Sequence, residues 1–271
     1  MRADELHAVA SRMRCRIIEL SHQAETPHLG SALSCVDILS AAYWAVLRID
    51  PAAPADPARD RFILSKGHAA LALYVCLAER GFFSKDLLET YNANGSPLAE
   101  HPGFPTVPGV EVATGSLGHG LSIGLGMALA GRLNCQSHRV YALLSDGECN
   151  EGAVWEAAMF AAAQRLDHVA VIVDYNKWQA TGRSDETLAL APLPAKWQAF
   201  GWSTVELDGH DLAALVAALT NVPDGSGKPV AIIAHTVKGR GVSFMEDDNN
   251  WHYRVPTADH VRLAQEELQL R

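Results

Sequence analysis

The sequence contains no uninterrupted apolar stretch of about 18 residues, the length that a membrane-spanning helix needs. Its first 20 residues, MRADELHAVASRMRCRIIEL, mix charged and apolar positions as an amphipathic helix does, and they lack the apolar segment of a signal peptide. The two absences argue against a membrane protein and against a secreted one. We therefore expect a cytoplasmic protein without a membrane partner.

Basic residues are also few. Lys and Arg number 22 against 31 Asp and Glu, which gives a formal net charge of −9. No basic stripe is available to neutralise a phosphate backbone, and this argues against nucleic acid as a partner. The five cysteines, at positions 15, 35, 76, 135 and 149, have neither metal-binding nor redox spacing, and their odd number is typical of reduced thiols.

Linkers, internal repeats and low-complexity tracts are absent as well. A chain of 271 residues with 48% hydrophobic content is long enough to bury a large core. Proline and glycine clusters at 51–60 and 223–229 predict an exposed loop and a turn, each before a strand. We expect a single α/β domain over residues 1–271.

Two polar segments, each following a buried apolar run, carry the most information. Asp146 follows the run VYALL and Asn176 follows the run VAVIV, 30 positions later. Both runs are typical of strands buried on both faces of a parallel sheet, and a helix-length stretch from about 151 to 165 separates them. This is the pattern of a strand–helix–strand crossover. Ligands of such sheets bind beyond the carboxyl ends of the strands, where both side chains would lie.

Asp146 and Asn176 carry the oxygen ligands that magnesium prefers, because Mg²⁺ takes few protein ligands and completes an octahedron with phosphate and water. The backbone carbonyl of Trp178 is a suitable third ligand. Gly147 lets the backbone approach a phosphate, and the positive end of the following helix favours an anion. A turn or helix cap is the alternative interpretation of Asp-Gly after a strand. Together the two segments predict a divalent cation over a diphosphate, and they indicate thiamine diphosphate.

The Asp-Gly-Glu…Asn pattern and its surroundings resemble the cofactor-binding half of the transketolase family. Four further segments match in order: 26–39, 62–77, 99–103 and 109–128. The tail, 235–257, resembles the small separate subunit of two-subunit transketolases. The resemblance thus covers nearly all of the chain. It implies the thiamine diphosphate-binding fold, an α/β fold with a mostly parallel sheet and helices on both faces.

The same resemblance implies residue roles. The residues that contact the substrate or the reacting centre would be His28, His68, His101 and His252. The residues that contact the cofactor would be His68, Gly115, Ser116, Leu117, Asp146, Gly147, Glu148, Asn176 and His252. The magnesium ligands would be Asp146, Asn176 and Trp178. Taken alone, His68 could merely flank a helix, and His252 could belong to a surface loop.

Three positions depart from the family pattern. Ser145 replaces the usual Gly, and Ser116 and His119 replace the usual Pro and Gln in the wall of the diphosphate site. The change at Ser145 is small and should leave the metal site intact, whereas the changes at Ser116 and His119 bear on the identity of the substrate more than on that of the cofactor. Glu151 and Glu156 match family glutamates that lie between paired active sites, with solvated salt bridges as the alternative.

Small residues recur every four positions after the diphosphate segment, at Gly120, Gly124 and Ala128. That spacing puts them on one helical face and lets another backbone come close. A buried helix contact and a subunit interface are both open interpretations.

The resemblance also implies a partner. In this family a glutamate of the pyrimidine-binding domain activates the cofactor, and the sequence ends at Arg271, before such a domain would begin. We expect a C-terminal transketolase subunit that supplies this domain, in a heterotetramer that acts on sugar phosphates.

The implied reaction moves a two-carbon ketol unit from a ketose to an aldose, and a histidine takes a hydroxyl proton as the carbon–carbon bond breaks. Two alternatives stay open. One is a thiamine diphosphate ketolase or synthase of specialised metabolism with another donor or acceptor. The other is a non-catalytic partner subunit.

Overall fold

The computed structural model describes residues 2–103 and 107–269, which form a five-stranded parallel sheet. The strands are β1 (Arg61–Leu64), β2 (Val140–Ser145), β3 (Val169–Tyr175), β4 (Ser203–Asp208) and β5 (Val230–His235). Their order in space is β1-β2-β3-β5-β4, and every neighbouring pair is parallel. The prediction of β2 and β3 from their apolar runs is confirmed: both are interior strands that are buried along their whole length.

Helices cover both faces of this sheet, as predicted. The α-helices are α1 (Ala3–Gln23), α2 (Leu29–Ser34), α3 (Val36–Ala41), α4 (Ala70–Arg80), α5 (His119–Leu133), α6 (Gly152–Ala163), α7 (Ser184–Thr187), α8 (Leu193–Ala199), α9 (Leu212–Thr220) and α10 (Ala258–Gln269). One apolar cluster joins α1, α3, α4 and α9 to one face of the sheet, and a second joins α5, α6 and α8 to the other. Within the described ranges, no helix is long and apolar enough to cross a membrane.

Side chains alternate between these two clusters along the central strands. Leu143 belongs to the first cluster and Leu144 to the second, and Ile172 and Val173 divide in the same way. Each side chain of this size contributes about 1.5–3 kcal/mol when it is fully buried. The two clusters therefore fix β2 and β3 in the core. This also fixes the positions of the residues that directly follow these strands.

The edge strand β4 was not predicted. Its sequence, STVELD, mixes polar and apolar residues, and none of its positions is fully buried. An edge strand has one neighbouring strand, here β5. Because little of β4 needs to be apolar, its sequence carries only a weak strand signal.

The small residues of α5 pack inside the molecule. A side chain on Gly120 would clash with Ser65, and a Cβ on Gly124 would lie 3.1 Å from Cδ1 of Ile63 in β1. Ala128 is fully buried. Of the two interpretations of this pattern, the structure supports the buried helix contact.

Candidate active site

Asp146 and Asn176 lie at the carboxyl edge of the sheet, the side on which its parallel strands end. Asp146 directly follows β2, and Asn176 directly follows β3. The strands pair with Ser145 opposite Asp174, so their ends lie side by side. Both side chains are almost fully buried. The strand ends therefore bring the two motif residues together, as their positions in the sequence predicted.

The carboxylate of Asp146 anchors the loop that follows β3. Its Oδ2 accepts hydrogen bonds from the backbone N–H of Lys177 at 2.8 Å and from Oγ of Ser184 at 2.7 Å. Its Oδ1 accepts one from the backbone of Gly147 at 2.9 Å. Burial raises the pKa of Asp146 to about 6, although the hydrogen bond from Ser184 opposes the shift. A cation beside this carboxylate would favour its charged form.

One acidic residue, Asp247, fixes the conformation of the loop 177–183. Asp247 accepts hydrogen bonds from Nε1 of Trp178 and from both terminal nitrogens of Arg183, all at 2.7 Å. The guanidinium of Arg183 also lies 3.7 Å from the centroid of the Trp178 ring. The backbone N–H of Trp178 donates to Oδ1 of Asn176 at 3.1 Å. These contacts hold the backbone of Trp178 beside the motif pair.

The donor set at this edge fits magnesium. The part of the chain that the structure describes contains no group of three His, Cys, Asp or Glu that could hold a metal, so an ion here needs amide, backbone and phosphate oxygens. Oδ1 of Asn176 accepts one hydrogen bond, and the carbonyl of Trp178 accepts none from a described residue. Nε2 of Gln179, next to Gly147, is buried without a partner among these residues. Oxygen ligands with positions left for phosphate and water are those that Mg²⁺ prefers.

The segment 115–117 presents free backbone amides. In the described residues, the N–H groups of Gly115, Ser116 and Leu117 donate to no acceptor. The next amide, that of Gly118, donates to Oε1 of Glu148 at 2.8 Å. Successive free amides form a concave site for an anion such as a phosphate. The segment therefore fits the cofactor-binding role that the resemblance implied.

Glu148, like Asp146, is a buried carboxylate that protein donors surround. It is fully buried, and both of its carboxylate oxygens accept hydrogen bonds from protein donors. Ser65 and the backbone of Gly118 donate to Oε1, and the backbone of Ser145 donates to Oε2 at 3.3 Å. Burial raises the pKa of Glu148, although the hydrogen bond from Ser65 opposes the shift. In this structure Glu148 ties the free-amide segment to the end of β2.

Four histidines from separate segments meet in what we call the histidine cluster: His28, His68, His101 and His252. The ring centroid of His28 lies 4.9 Å from that of His252, 5.6 Å from that of His68 and 5.8 Å from that of His101. The backbone N–H of His28 donates to the carbonyl of His252 at 2.9 Å. A Cβ on Gly115 would lie 2.8 Å from Cδ2 of His101, so the cluster adjoins the free amides. The structure brings together all four histidines that the resemblance implied.

Burial favours the neutral form of the His68 and His28 rings. It lowers the pKa of His68 well below the ordinary value, and the charge of Lys66 lowers it further. It also lowers the pKa of His28, although Glu100, with Oε1 3.1 Å from Nδ1 of His28, opposes the shift. Neutral imidazoles donate and accept hydrogen bonds, as proton exchange with a hydroxyl group requires.

Lys66 and Asp174 belong to the site but were not predicted. They form an ion pair that is fully buried. Asp174 also accepts hydrogen bonds from Oγ of Ser34 at 2.6 Å and from Oγ1 of Thr236. Burial alone would raise the pKa of Asp174, but Lys66 and these hydrogen bonds lower it. Lys66 lies in the matched segment 62–77 and Asp174 lies two residues before Asn176, yet a sequence pattern does not show which buried charges meet.

Lys238 is the second cation that was not predicted, although it lies in the matched tail 235–257. Its Nζ donates to Oδ1 of Asn249 at 2.7 Å and contacts Nδ1 of His252 at 3.0 Å. Burial, and then the charge of Lys66, lowers the pKa of Lys238 to about 8. The group is still mainly protonated at neutral pH, so a cation adjoins the histidine cluster.

Two of the three departures from the family pattern lie at the surface of the site, whereas the third, Ser145 at the end of β2, is buried. Ser116 and His119 are exposed, and Nδ1 of His119 lies 3.1 Å from the carbonyl oxygen of Leu117. Glu151 and Glu156 are exposed at the start of α6. Neither glutamate forms a salt bridge within the described ranges, so both remain available to a neighbouring subunit.

The substitution Lys66→Met should destabilise the chain by about 3–5 kcal/mol, because it leaves the carboxylate of Asp174 buried without its counter-ion. Urea unfolding followed by circular dichroism measures the loss. Lys196→Met is the control, since Lys196 donates to the carbonyl of Leu190 at 2.7 Å at the part-exposed start of α8. It should change the free energy of unfolding by less than about 1 kcal/mol. Equal losses in both variants would contradict the role assigned to the buried pair.

Known proteins resemble this chain along nearly its whole length. The family described as transketolase, thiamine diphosphate binding domain, matches residues 6–271. The apulose-4-phosphate transketolase subunit of Phocaeicola vulgatus is 39% identical over 271 residues, which cover 100% of this chain and 96% of that protein. The 6-deoxy-6-sulfo-D-fructose transketolase subunit SqwG of Clostridium sp. is 42% identical over 242 residues, which cover 89% of this chain and 88% of that protein.

A solved structure shares the fold. The crystal structure of transketolase from Campylobacter jejuni superposes with a TM-score of 0.93 at 28% sequence identity. The match covers 99% of this chain but 43% of that one, so this chain spans less than half of the solved transketolase. The predicted α/β fold of the thiamine diphosphate-binding type is confirmed.

Proposed function

We propose, from the premise that this chain belongs to the transketolase family, that it is the magnesium- and diphosphate-binding subunit of a split transketolase. The assembled enzyme would transfer a two-carbon ketol unit from a ketose phosphate to an aldose, and residues 1–271 would act as one domain. One observation carries the proposal: the Asp146–Asn176 pair, the free amides of 115–117 and the histidine cluster adjoin one another. Each of these three sets of residues also occurs in sites of other kinds. Side by side, they fit a metal ion, a diphosphate and a sugar, respectively.

Cofactor and metal would be held by different sets of atoms. Oδ1 of Asp146, Oδ1 of Asn176 and the carbonyl of Trp178 would hold Mg²⁺, because these oxygens are fixed in place and each accepts at most one hydrogen bond from the described residues. The amides of 115–117 and the backbone at Gly147 would bind the diphosphate. When bound, thiamine diphosphate supplies the nucleophilic carbon and the electron sink for breaking a carbon–carbon bond.

The histidine cluster would handle the protons of the sugar. Its rings come from four segments, so they can surround the hydroxyl groups near the reacting carbon. A neutral ring with a free nitrogen accepts the proton of the hydroxyl next to the breaking bond and later returns it. His28 and His101 would contact the substrate, and His68 would lie nearest the cofactor.

A partner chain is part of this proposal. Both relatives are named as transketolase subunits. The packed pair α5 and α6 exposes Ile123, Met159 and Phe160, which makes an apolar surface that suits a second chain. The partner would supply the pyrimidine-binding domain and the activating glutamate. A heterotetramer of two chains of each kind is the simplest closed assembly.

The donor sugar has two candidates. A ketose phosphate comes first, since the relative that covers the whole chain is named for apulose-4-phosphate. A sulfonated ketose comes second, because the relative named for 6-deoxy-6-sulfo-D-fructose is 42% identical. The assembled complex should be assayed with both donors and one aldose acceptor. A kcat/KM at least about tenfold higher for one donor assigns the substrate, since each tenfold difference corresponds to 1.4 kcal/mol of discrimination.

The substitutions His68→Ala and His101→Ala should each lower kcat by about 100-fold or more, and they should weaken cofactor binding much less, because general acid–base groups act on the chemical step. Steady-state kinetics of the assembled complex and calorimetric titration with the cofactor separate the two effects. His7→Ala, at an exposed position of α1, is the matched control. Normal turnover in both variants would refute their catalytic role, and a lower melting temperature with normal kcat would make them structural.

A further inference from the structure

One cation contacts the histidine cluster directly. Nζ of Lys238 lies 3.0 Å from Nδ1 of His252 and donates to Oδ1 of Asn249 at 2.7 Å. Lys238 is fully buried, so solvent does not compete for these contacts. An ammonium group has hydrogen-bond donors and no acceptor. Nδ1 of His252 is therefore the acceptor, and its proton must be on the other ring nitrogen.

The surroundings leave the ammonium little freedom to move away. The other side of the Asn249 amide donates to the carbonyl of Ala180 at 3.2 Å, which fixes its oxygen toward Lys238. The backbone carbonyl of Lys238 accepts a hydrogen bond from Asp247 at 2.8 Å. A Cβ on Gly30 would lie 3.0 Å from Cγ of Lys238, so the stem of the side chain is closely packed.

The opposite nitrogen of His252 is free. Nε2 makes no hydrogen bond to any residue in 2–103 or 107–269, and it is not among the buried polar atoms that lack a partner, so it is accessible. The ring lies 4.9 Å from that of His28 and 5.9 Å from that of His68, measured between centroids. A ligand in the histidine cluster would therefore meet the Nε2 end of His252.

We propose that Lys238 is a positioning residue that fixes His252 as a neutral imidazole with its proton on Nε2, so that this ring donates a hydrogen bond to an oxygen of the bound sugar. Accepting a proton at Nδ1 is blocked as long as the ammonium occupies that lone pair. His252 thus serves as a fixed donor, and proton acceptance falls to the other rings of the histidine cluster. The identity of the accepting oxygen rests on the proposed function, whereas the protonation state of His252 does not.

The charges around His252 agree with this assignment. The titratable groups that face it are Lys238 and Tyr253 from its own part of the chain, His28 before α2, and Lys66 and His68 between β1 and α4. Two of these are cations, two are neutral imidazole rings, and the fifth is the ring of Tyr253. Burial, and then Lys238, lowers the pKa of His252 to about 3. A second positive charge on this ring is thus opposed both by burial and by its neighbours.

Histidine-ring ¹⁵N NMR of the full chain measures the proton position without any assay of activity. The His252 signals are assigned by their loss in His252→Gln. We expect the pattern of a neutral ring protonated on Nε2 at pH 7, with no titration above pH about 5. In Lys238→Met the apparent pKa of His252 should rise by at least about one unit, because a nearby positive charge is removed. Lys238→Arg keeps a charged donor and should restore the wild-type titration.

Several outcomes would overturn the inference. One is a wild-type His252 that is protonated on Nδ1, or doubly protonated, at pH 7; this result does not depend on any variant remaining folded. Another is a titration curve in Lys238→Met that coincides with that of the wild type. Lys196→Met removes a lysine outside the histidine cluster and should leave the His252 signals unchanged. If the assembled complex transfers no ketol unit but the His252 proton is still on Nε2, the proposed function fails and the inference about His252 stands.

Discussion

The substitution Asp146→Ala is expected to abolish magnesium-dependent binding of thiamine diphosphate by the assembled complex, while the chain stays folded. Loss of a residue that merely supports a metal ligand often lowers affinity by about 10–100-fold, so loss of a ligand itself should lower it by at least about 100-fold. Folding should survive, because the buried carboxylate has a raised pKa and is itself costly to desolvate without a cation. Calorimetric titration with the cofactor, with and without Mg²⁺, measures the effect.

Two further variants sharpen this experiment. Asp146→Asn keeps an oxygen that can accept the hydrogen bonds of Lys177 and Ser184 but removes the negative charge, and it should give an intermediate affinity. Asp208→Ala removes an exposed carboxylate at the end of β4, also at the carboxyl edge, and should leave cofactor binding unchanged. Unchanged magnesium dependence in Asp146→Ala would remove this residue from the metal site.

The purified chain alone is expected to turn over no ketose and to bind the cofactor weakly, because the proposed site needs a glutamate and a pyrimidine-binding surface from a second chain. Adding a C-terminal transketolase subunit should restore both activity and tight binding. Size-exclusion chromatography and a ketol-transfer assay on the mixture test this expectation. The exposed apolar surface of α5 and α6, with Ile123, Met159 and Phe160, should become protected in the complex.

The same mixture separates the competing functions. Full activity from this chain alone would contradict the split-enzyme proposal. Tight cofactor binding in the complex without ketol transfer to any aldose would favour a thiamine diphosphate enzyme with another donor or acceptor. A stable complex that neither binds the cofactor nor turns over would favour the non-catalytic subunit. As a control, the partner is mixed with the Asp146→Ala variant. This mixture shows whether the two chains assemble when the metal site is lost.

The central part of the fold could be predicted because its signals are local. The runs that form β2 and β3 are continuous and apolar, and a strand that is buried on both faces requires this. Once the two strands are parallel neighbours, Asp146 and Asn176 must lie at the same edge. The positions of the four histidines came from the resemblance, since nothing local indicates that His28 and His252 meet.

The remaining features depend on contacts between distant segments. Lys66 and Asp174 are 108 positions apart, and their pairing is a property of the folded core. The contact of Lys238 with His252 requires a turn that no periodicity indicates. Glu148 was predicted to contact the cofactor, but its hydrogen bonds to Ser65 and Gly118 could be found only from the structure.

Anomalous diffraction from crystals of the assembled complex with thiamine diphosphate and Mn²⁺ tests the metal site directly, because Mn²⁺ prefers octahedral oxygen ligands as magnesium does. We expect one strong peak per copy of this chain, within about 2.5 Å of oxygens of Asp146, Asn176 and the Trp178 carbonyl, close to the metal–oxygen distance of this class of ion. The diphosphate should complete the coordination and contact the amides of 115–117. A manganese peak elsewhere, or a bound diphosphate whose metal does not touch Asp146 and Asn176, would show that these residues are not the magnesium ligands.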